Sequence, residues 1–214
     1  MNSLKKSKLC DFGLATLVLV WLGLAAAAPP ETVGPEAQGG ALEIAARVVN
    51  LAFLAVLAVL LCIRAPPLRK APGLWPRLAG AAGFLAPLLC LALPPVPMSD
   101  AGRILAMTAT ILGSMASIAT CLWLGRSFSV LPQARGLVTS GPYRYVRHPL
   151  YLAETIGVFG LVVGYERPWS LLVMLIAVAV QFPRMLFEEE VLRETFPAYA
   201  MYCQRTARLI PGLY

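Results

Sequence analysis

The chain has 214 residues, 58% hydrophobic and only 14% charged, with 18 basic against 11 acidic side chains and a net charge of +7. Soluble domains run near half apolar and a quarter charged, so this balance excludes an ordinary soluble domain and predicts an integral membrane protein, short enough for one helical bundle. The basic residues recur in short connections between apolar runs, which argues for membrane topology and against nucleic acid as a partner.

Six apolar runs follow in chain order, at 12–28, 44–63, 78–97, 104–125, 150–165 and 169–182. A bilayer crossing takes roughly 20 apolar residues. The third and fourth runs meet that comfortably; the fifth and sixth are short and predict a tight hairpin, tilted or partly buried in protein. The expectation is an all-α, polytopic bundle of about six transmembrane helices. The first run follows Lys5, Lys6 and Lys8 and ends in Ala25 to Ala28 before Pro29. A secretory signal and its small-residue cleavage site share these features, but the run is long for a signal core, which favours a retained span. The stretch 29–40 is rich in Pro and Gly, as a flexible external connection would be. The stretch 64–77, with prolines and basic residues, is expected to lie against anionic headgroups. Gly157, Gly160 and Gly164 in the fifth run permit close helix approach, read as ordinary packing.

Charge orders the runs. With six spans and both termini cytoplasmic, every one of the 18 basic residues except Arg47, Arg103 and Arg167 falls on the inner side. That is the bias the positive-inside rule describes. Cys10, Cys62, Cys90, Cys121 and Cys203 are scattered singly, and the chain holds one histidine. Zinc and iron–sulfur sites need a tighter ligand set, so no metal is expected and the cysteines read as small core hydrophobes.

Between the fourth and fifth runs lies Gly141-Pro142-Tyr143-Arg144-Tyr145-Val146-Arg147-His148-Pro149-Leu150-Tyr151. Such groups are costly in lipid unless paired or hydrated, so they mark a polar site where helices meet water. Residues 137–143 read as an extended strip ending in a turn. Pro149 suits the first turn of a helix, and Tyr151 then projects to the side of His148. A second polar cluster follows the last run: Arg184, with Glu188 four residues on and on the same helix face, then Glu189 and Glu190. A cation and a carboxylate presented together suit a zwitterionic or mixed-charge ligand. The two clusters read as halves of one pocket. No G-x-G-x-x-G, P-loop, G-x-S-x-G or H-E-x-x-H occurs, which excludes a soluble-type nucleotide fold and the common hydrolase sites.

Together, Gln133, Leu137 through Tyr151 with its R-H-P-x-Y core, Arg184 with Glu188-Glu189, Phe196-Pro197-x-Tyr199-x-x-Tyr202 and Arg208-x-x-Pro211 resemble the isoprenylcysteine carboxyl methyltransferase family, part of a wider set that includes phospholipid N-methyltransferases. The resemblance covers roughly 104–211. It implies one membrane domain over 1–214, with N-terminal spans in 1–100, a catalytic core in 101–214, and a C-terminal helical segment closing a cofactor pocket at the cytosolic face. The cofactor it implies is S-adenosylmethionine, held by Gln133, Leu137, Val138, Tyr143, His148, Pro149, Tyr151 and Glu188. Arg184 would face the methyl acceptor, a lipophilic molecule reaching the site sideways through the membrane, and Arg147 would stabilise the site electrostatically.

The chain departs from the family at Ala153, where glycine is usual, followed by Glu154. An ionisable group one turn inside a span is a functional candidate. Glu154 has two readings, a contact with a cationic or hydroxyl-bearing acceptor or a pair with Arg147. A carboxylate acceptor needs no general base, whereas an amine or thiol does, and Glu154 is then the candidate. Two other classes compete with a methyltransferase. An NADPH-dependent lipid or sterol reductase would call for clustered cations around a 2′-phosphate, and only Arg144 and Arg147 lie beside the motif. A non-enzymatic membrane scaffold leaves the joint occurrence of Tyr143, His148, Tyr151, Arg184 and Glu188 unexplained.

Overall fold

The computed structural model describes residues 40–212. The first apolar run, with its alternative as a signal, therefore lies outside the described residues. Six α-helices follow: α1 Ala41–Ile63, α2 Trp75–Leu85, α3 Asp100–Leu124, α4 Pro149–Val162, α5 Trp169–Thr195 and α6 Tyr199–Arg205. Two short strands, β1 Arg69–Lys70 and β2 Gln133–Ala134, pair antiparallel, with Arg69 opposite Ala134 and Lys70 opposite Gln133. Among the described residues, three helices are long and apolar enough to cross a membrane: Ala41–Ile63, Asp100–Ser127 and Trp169–Thr195. Large apolar side chains such as Val48, Val59, Leu112, Leu122 and Leu175 point outward, the surface a lipid-facing bundle presents.

Two expectations change. The run 78–97 is not a continuous span; α2 gives way to a 3-10 helix over Ala86–Ala92. Pro87 has no N–H for an i−4 bond, so the α-helical ladder stops there. The sixth run is not short, because α5 has 27 residues and continues past Pro183, where hydropathy ends, to Thr195. Its second half is held by contacts with protein, described below. The fifth run forms the 14-residue α4, shorter than a perpendicular crossing needs.

Two close approaches set the bundle. A side chain on Gly113 of α3 would place its Cβ 2.3 Å from the backbone N of Gly157, so α3 and α4 pack backbone to backbone. Gly160 likewise abuts Ala106 and Thr110, while Gly164 meets nothing on α3; the contact runs through Gly157 and Gly160. Ala65 N–H donates to Arg126 O at 2.8 Å, which brings the C-terminal ends of α1 and α3 together. Beneath that junction Leu54, Leu57, Leu60, Leu61, Cys121 and Phe128 form the main core cluster. At the opposite end of the bundle Val96 N–H donates to Gly164 O at 3.0 Å. Of the cysteines, Cys90 and Cys121 are buried as expected, whereas Cys62 is exposed and Cys203 half-buried.

Candidate active site

The polar stretches meet at the end of the bundle where α1 and α3 terminate. Gly141–Arg144 forms a 3-10 turn, and Pro149 occupies the first turn of α4 with His148 as its cap residue, as the sequence predicts. The His148 and Tyr151 rings then lie 5.3 Å apart, on one side of the helix start. α5 runs antiparallel to α4 and lays Arg184 and Glu188 on opposite ends of the Tyr151 side chain. The Arg184 guanidinium stacks 4.6 Å from the ring centroid, and the phenol donates to Glu188 Oε2 at 2.8 Å.

Glu189, one residue on, faces a different set. It is 2% exposed and accepts from Arg208 Nε at 2.9 Å and Arg208 Nη2 at 3.0 Å, a bidentate pair. His148 Nε2 lies 3.1 Å from the same carboxylate and Arg147 Nε 3.4 Å. Backbone bonds reinforce the knot: Arg147 N–H donates to Ala207 O at 2.9 Å and His148 N–H to Arg208 O at 3.1 Å. The C-terminal segment is thereby stitched to the entrance of α4. Tyr202 adds a bond from its phenol to the carbonyl of Tyr143 at 2.6 Å.

A third group sits deeper. Arg184 Nη1 donates to Gln181 Oε1 at 2.8 Å and lies 3.5 Å from Glu154 Oε2, which also accepts from Gln181 Nε2 at 3.3 Å. Glu154 thus pairs with Arg184, not with Arg147, which belongs to Glu189. Arg184 is 4% exposed, and its guanidinium lies so close to α2 that a side chain on Gly83 would overlap it at 2.5 Å. Its Nε is buried without a hydrogen bond.

These groups border a cleft enclosing about 70 Å³. Gln133, Leu137, Val138, Tyr143, His148, Tyr151 and Glu188 line it, as do Arg147, Arg184 and Glu154. Of the sequence-predicted site residues, only Pro149 is not on its wall; the buried ring serves the helix start instead. Gln133 is held at the rim by β2 pairing and by Arg135 Nη2, which donates to its side-chain oxygen at 2.7 Å. Burial pushes the Tyr143 phenol up, with the Glu188 carboxylate adding to the shift, and raises Tyr202 to about 12. Both stay neutral donors across the ordinary pH range.

A larger, mainly apolar cavity of about 380 Å³ adjoins the cleft and runs along α1, α3 and α4. It reaches from Glu154 and Gln181 to Glu43 and Tyr165 near the other end of the bundle. Leu57, Phe84 and Glu154 line both spaces, so the Glu154 carboxylate stands at their junction. Among the described residues, no group of three His, Cys, Asp or Glu gathers to hold a metal.

The site list from the sequence lacked Glu189 and Gln181. The adjacent acids Glu188 and Glu189 looked alike in sequence, and only the fold assigns them to different partners. Gln181 looked like the end of an apolar run, although a polar amide just before Arg184 was a signal that could have been used.

Known proteins share part of this sequence. Residues 101–198 match the sequence model of the family described as phospholipid methyltransferase. The cobalt-zinc-cadmium resistance protein CzcN of Cupriavidus metallidurans is 38% identical over 78 residues, 36% of either chain. The nickel-cobalt-cadmium resistance protein NccN of Alcaligenes xylosoxydans xylosoxydans is 35% identical over 78 residues, covering 36% of this chain and 37% of its own. The match thus spans well under half of each relative.

Proposed function

We propose that this protein, whose residues 101–198 match the sequence model of the phospholipid methyltransferase family, is a membrane methyltransferase that uses S-adenosylmethionine to methylate a lipophilic acceptor at the cytosolic membrane face. The observation that carries this reading is the single cleft into which two distant polar stretches bring Tyr143, His148, Tyr151, Arg184 and Glu188, next to an apolar cavity. The positive-inside distribution of the arginines supports the cytosolic assignment. The names of the two relatives speak of resistance to metal ions; among the described residues no His, Cys, Asp and Glu gather as a metal ligand set, and the methyltransferase reading does not depend on those names.

The residues suit the cofactor's chemistry. Glu188 offers a half-exposed carboxylate to hydroxyl or amino groups, and Tyr143 and Tyr151 offer ring faces. Arg147 lines the same cleft and is held by the Glu189 carboxylate at 3.4 Å, adding positive charge to its wall. The enclosed volume of about 70 Å³ is below the roughly 300–1,000 Å³ of small-molecule sites, so the cleft must widen to admit a nucleoside.

When bound, S-adenosylmethionine supplies an electrophilic methyl group on a sulfonium. The chain's own work is alignment: the cavity holds the apolar body of the acceptor, and its reactive head reaches the Glu154, Gln181 and Arg184 group at the junction. Holding two ligands at near-attack distance contributes up to about 7–11 kcal/mol. The apolar walls keep water from the junction. A reductase would call for clustered cations around a 2′-phosphate, and Arg147 beside the motif is already paired with Glu189 at 3.4 Å.

The test is calorimetry on detergent-solubilised protein with S-adenosylhomocysteine and, separately, NADPH. Binding of the first and not the second, weakened in Glu188→Ala, is expected. Preferential binding of NADPH would overturn the assignment.

A further inference from the structure

The basic, proline-rich stretch 64–78 takes no part in the reaction proposed above, yet it borders the cleft. It leads from the end of α1 through β1 into α2. Its inner side is packed on protein. Arg69 reaches Glu194 on α5 at 2.9 Å, and Ala71 is buried with Ala134 and Val191. On α2, Pro76 and Gly80 are buried, and a side chain on Gly80 would meet Leu131 at 3.0 Å.

The outer side is bare. Leu68 and Lys70 alternate with Arg69 and Ala71 along the strand, so they point away from α5, and both are exposed. Leu74 and Trp75 stand four and three residues before Leu78 and share one side of the start of α2 with it. Trp75, at 76%, is the most exposed large apolar side chain among the described residues. Lys70, Arg77 and Arg126 are also exposed and have no acidic partner among the described residues. Arg126 stands beside the start of the stretch, where its carbonyl accepts from Ala65 N–H at 2.8 Å. Apolar side chains among unpaired cations suit neither water nor hydrocarbon. A headgroup layer accommodates both, with the indole at the boundary and the cations among phosphates.

The same stretch is joined to the cleft. Lys70 pairs with Gln133, Leu68 N–H donates to Ala134 O at 2.8 Å, and Ala71 N–H donates to Pro132 O at 3.1 Å. Gln133 lines the cleft, so whatever fixes 68–71 also fixes its rim.

We propose that 68–78 is a docking surface for the anionic phospholipids of the bilayer, and that docking holds the rim of the cleft through the β1–β2 pair. The docking stands by itself, whereas its effect on a cofactor rests on the methyltransferase reading above. Each basic residue near an anionic surface strengthens attachment about fivefold, and salt weakens it.

The experiment places the full chain in nanodiscs of phosphatidylcholine, with or without phosphatidylglycerol. The fluorescence difference between wild type and Trp75→Phe isolates Trp75. Brominated phosphatidylglycerol is expected to quench that signal more than brominated phosphatidylcholine does. The excess should vanish in Lys70→Gln/Arg77→Gln and in about 1 M salt, where screening acts within about 3 Å. S-adenosylhomocysteine is expected to bind about fivefold tighter when phosphatidylglycerol is present, and the double variant, altered off the cleft wall, to bind it equally in both discs. Equal quenching by the two brominated lipids, or quenching by acrylamide from water in their place, would overturn the proposal. So would shielding of Trp75 by polyglutamate and not by phosphatidylglycerol, which would point to an acidic protein. Quenching that follows the anionic lipid without any change in affinity would sink the link to the rim. Should the double variant fail to fold, the wild-type comparisons decide. If S-adenosylhomocysteine binds in neither disc, the methyltransferase reading falls, and quenching alone decides the docking.

Discussion

Glu188 and Glu189 are neighbours on one helix turn, yet they belong to regions of opposite character. Around Glu189 the structure is closed: a 2%-exposed carboxylate receives Arg208 in bidentate fashion and sits within 3.1 Å of His148 and 3.4 Å of Arg147. Around Glu188 it is open: the carboxylate is 36% exposed, accepts one phenol at 2.8 Å, and lies 4.0 Å from His148 Nδ1. A buried charge with every partner in place fixes shape, because removing any partner strands the rest. A half-exposed charge with spare acceptor capacity can meet a ligand. The difference separates the residues that build the site from those that work in it.

The most forceful way to break this contrast is to remove both carboxylates in turn. Glu189→Ala leaves Arg147, Arg208 and His148 facing one another without an anion, and should cost about 3–5 kcal/mol. Thermal unfolding should show Tm lower by roughly 6–20 °C. Glu188→Ala deletes one bond from the Tyr151 phenol and should lower Tm far less than Glu189→Ala, while weakening S-adenosylhomocysteine binding by about tenfold to a hundredfold, the worth of a hydrogen bond to a charged group. If the two variants behaved alike in both measurements, the division between closed and open regions would be wrong.

A third substitution sharpens the contrast by acting far from any charge. Gly113→Ala forces α3 away from α4, since its new Cβ would lie 2.3 Å from Gly157 N. The expected destabilisation is about 1–3 kcal/mol, read as a lower Tm. Because α4 carries Tyr151 and Glu154, ligand binding should weaken along with stability. Glu188→Ala should weaken binding far more than stability.

What the sequence disclosed follows the same division. The spans 44–63 and 104–125 were legible because their burial is set by hydropathy, which composition records directly. The joining of 137–151 to Arg184 and Glu188 was legible because polar groups between apolar runs have few other places to go. The broken helix at Ala86–Ala92 was not, since an apolar window averages over Pro87 and cannot register that Gly83 leaves room for Arg184 on another helix. The continuation of α5 beyond Pro183 was hidden for a related reason. Proline and falling hydropathy both signal an end there, and what sustains the helix is Glu189 bonding to Arg208, a residue 19 positions away. The split between Glu188 and Glu189 needs the angle at which α5 meets α4, and no local spacing encodes that.

The smallest expected effect concerns the tie between α6 and the turn at Tyr143. The Tyr202 phenol donates to the Tyr143 carbonyl at 2.6 Å, and Tyr202→Phe should cost about 0.5–1.5 kcal/mol by deleting that bond. Burial raises this phenol to about 12, above its usual value near 10. Below pH ~10 it is protonated in both folded and unfolded chains, and its contribution is complete. Between pH ~10 and about 12 the unfolded chain has lost a proton that the folded chain keeps, so stability falls as pH rises through that interval. Other tyrosines titrate there too, but the difference in Tm between wild type and Tyr202→Phe isolates this one. That difference should be steady at neutral pH and shrink as pH approaches 12. A difference that stays constant up to about pH 12 would mean that folding does not raise this phenol's pKa, whereas no difference at any pH would mean that the backbone bonds from Arg147 and His148 hold the segment without it.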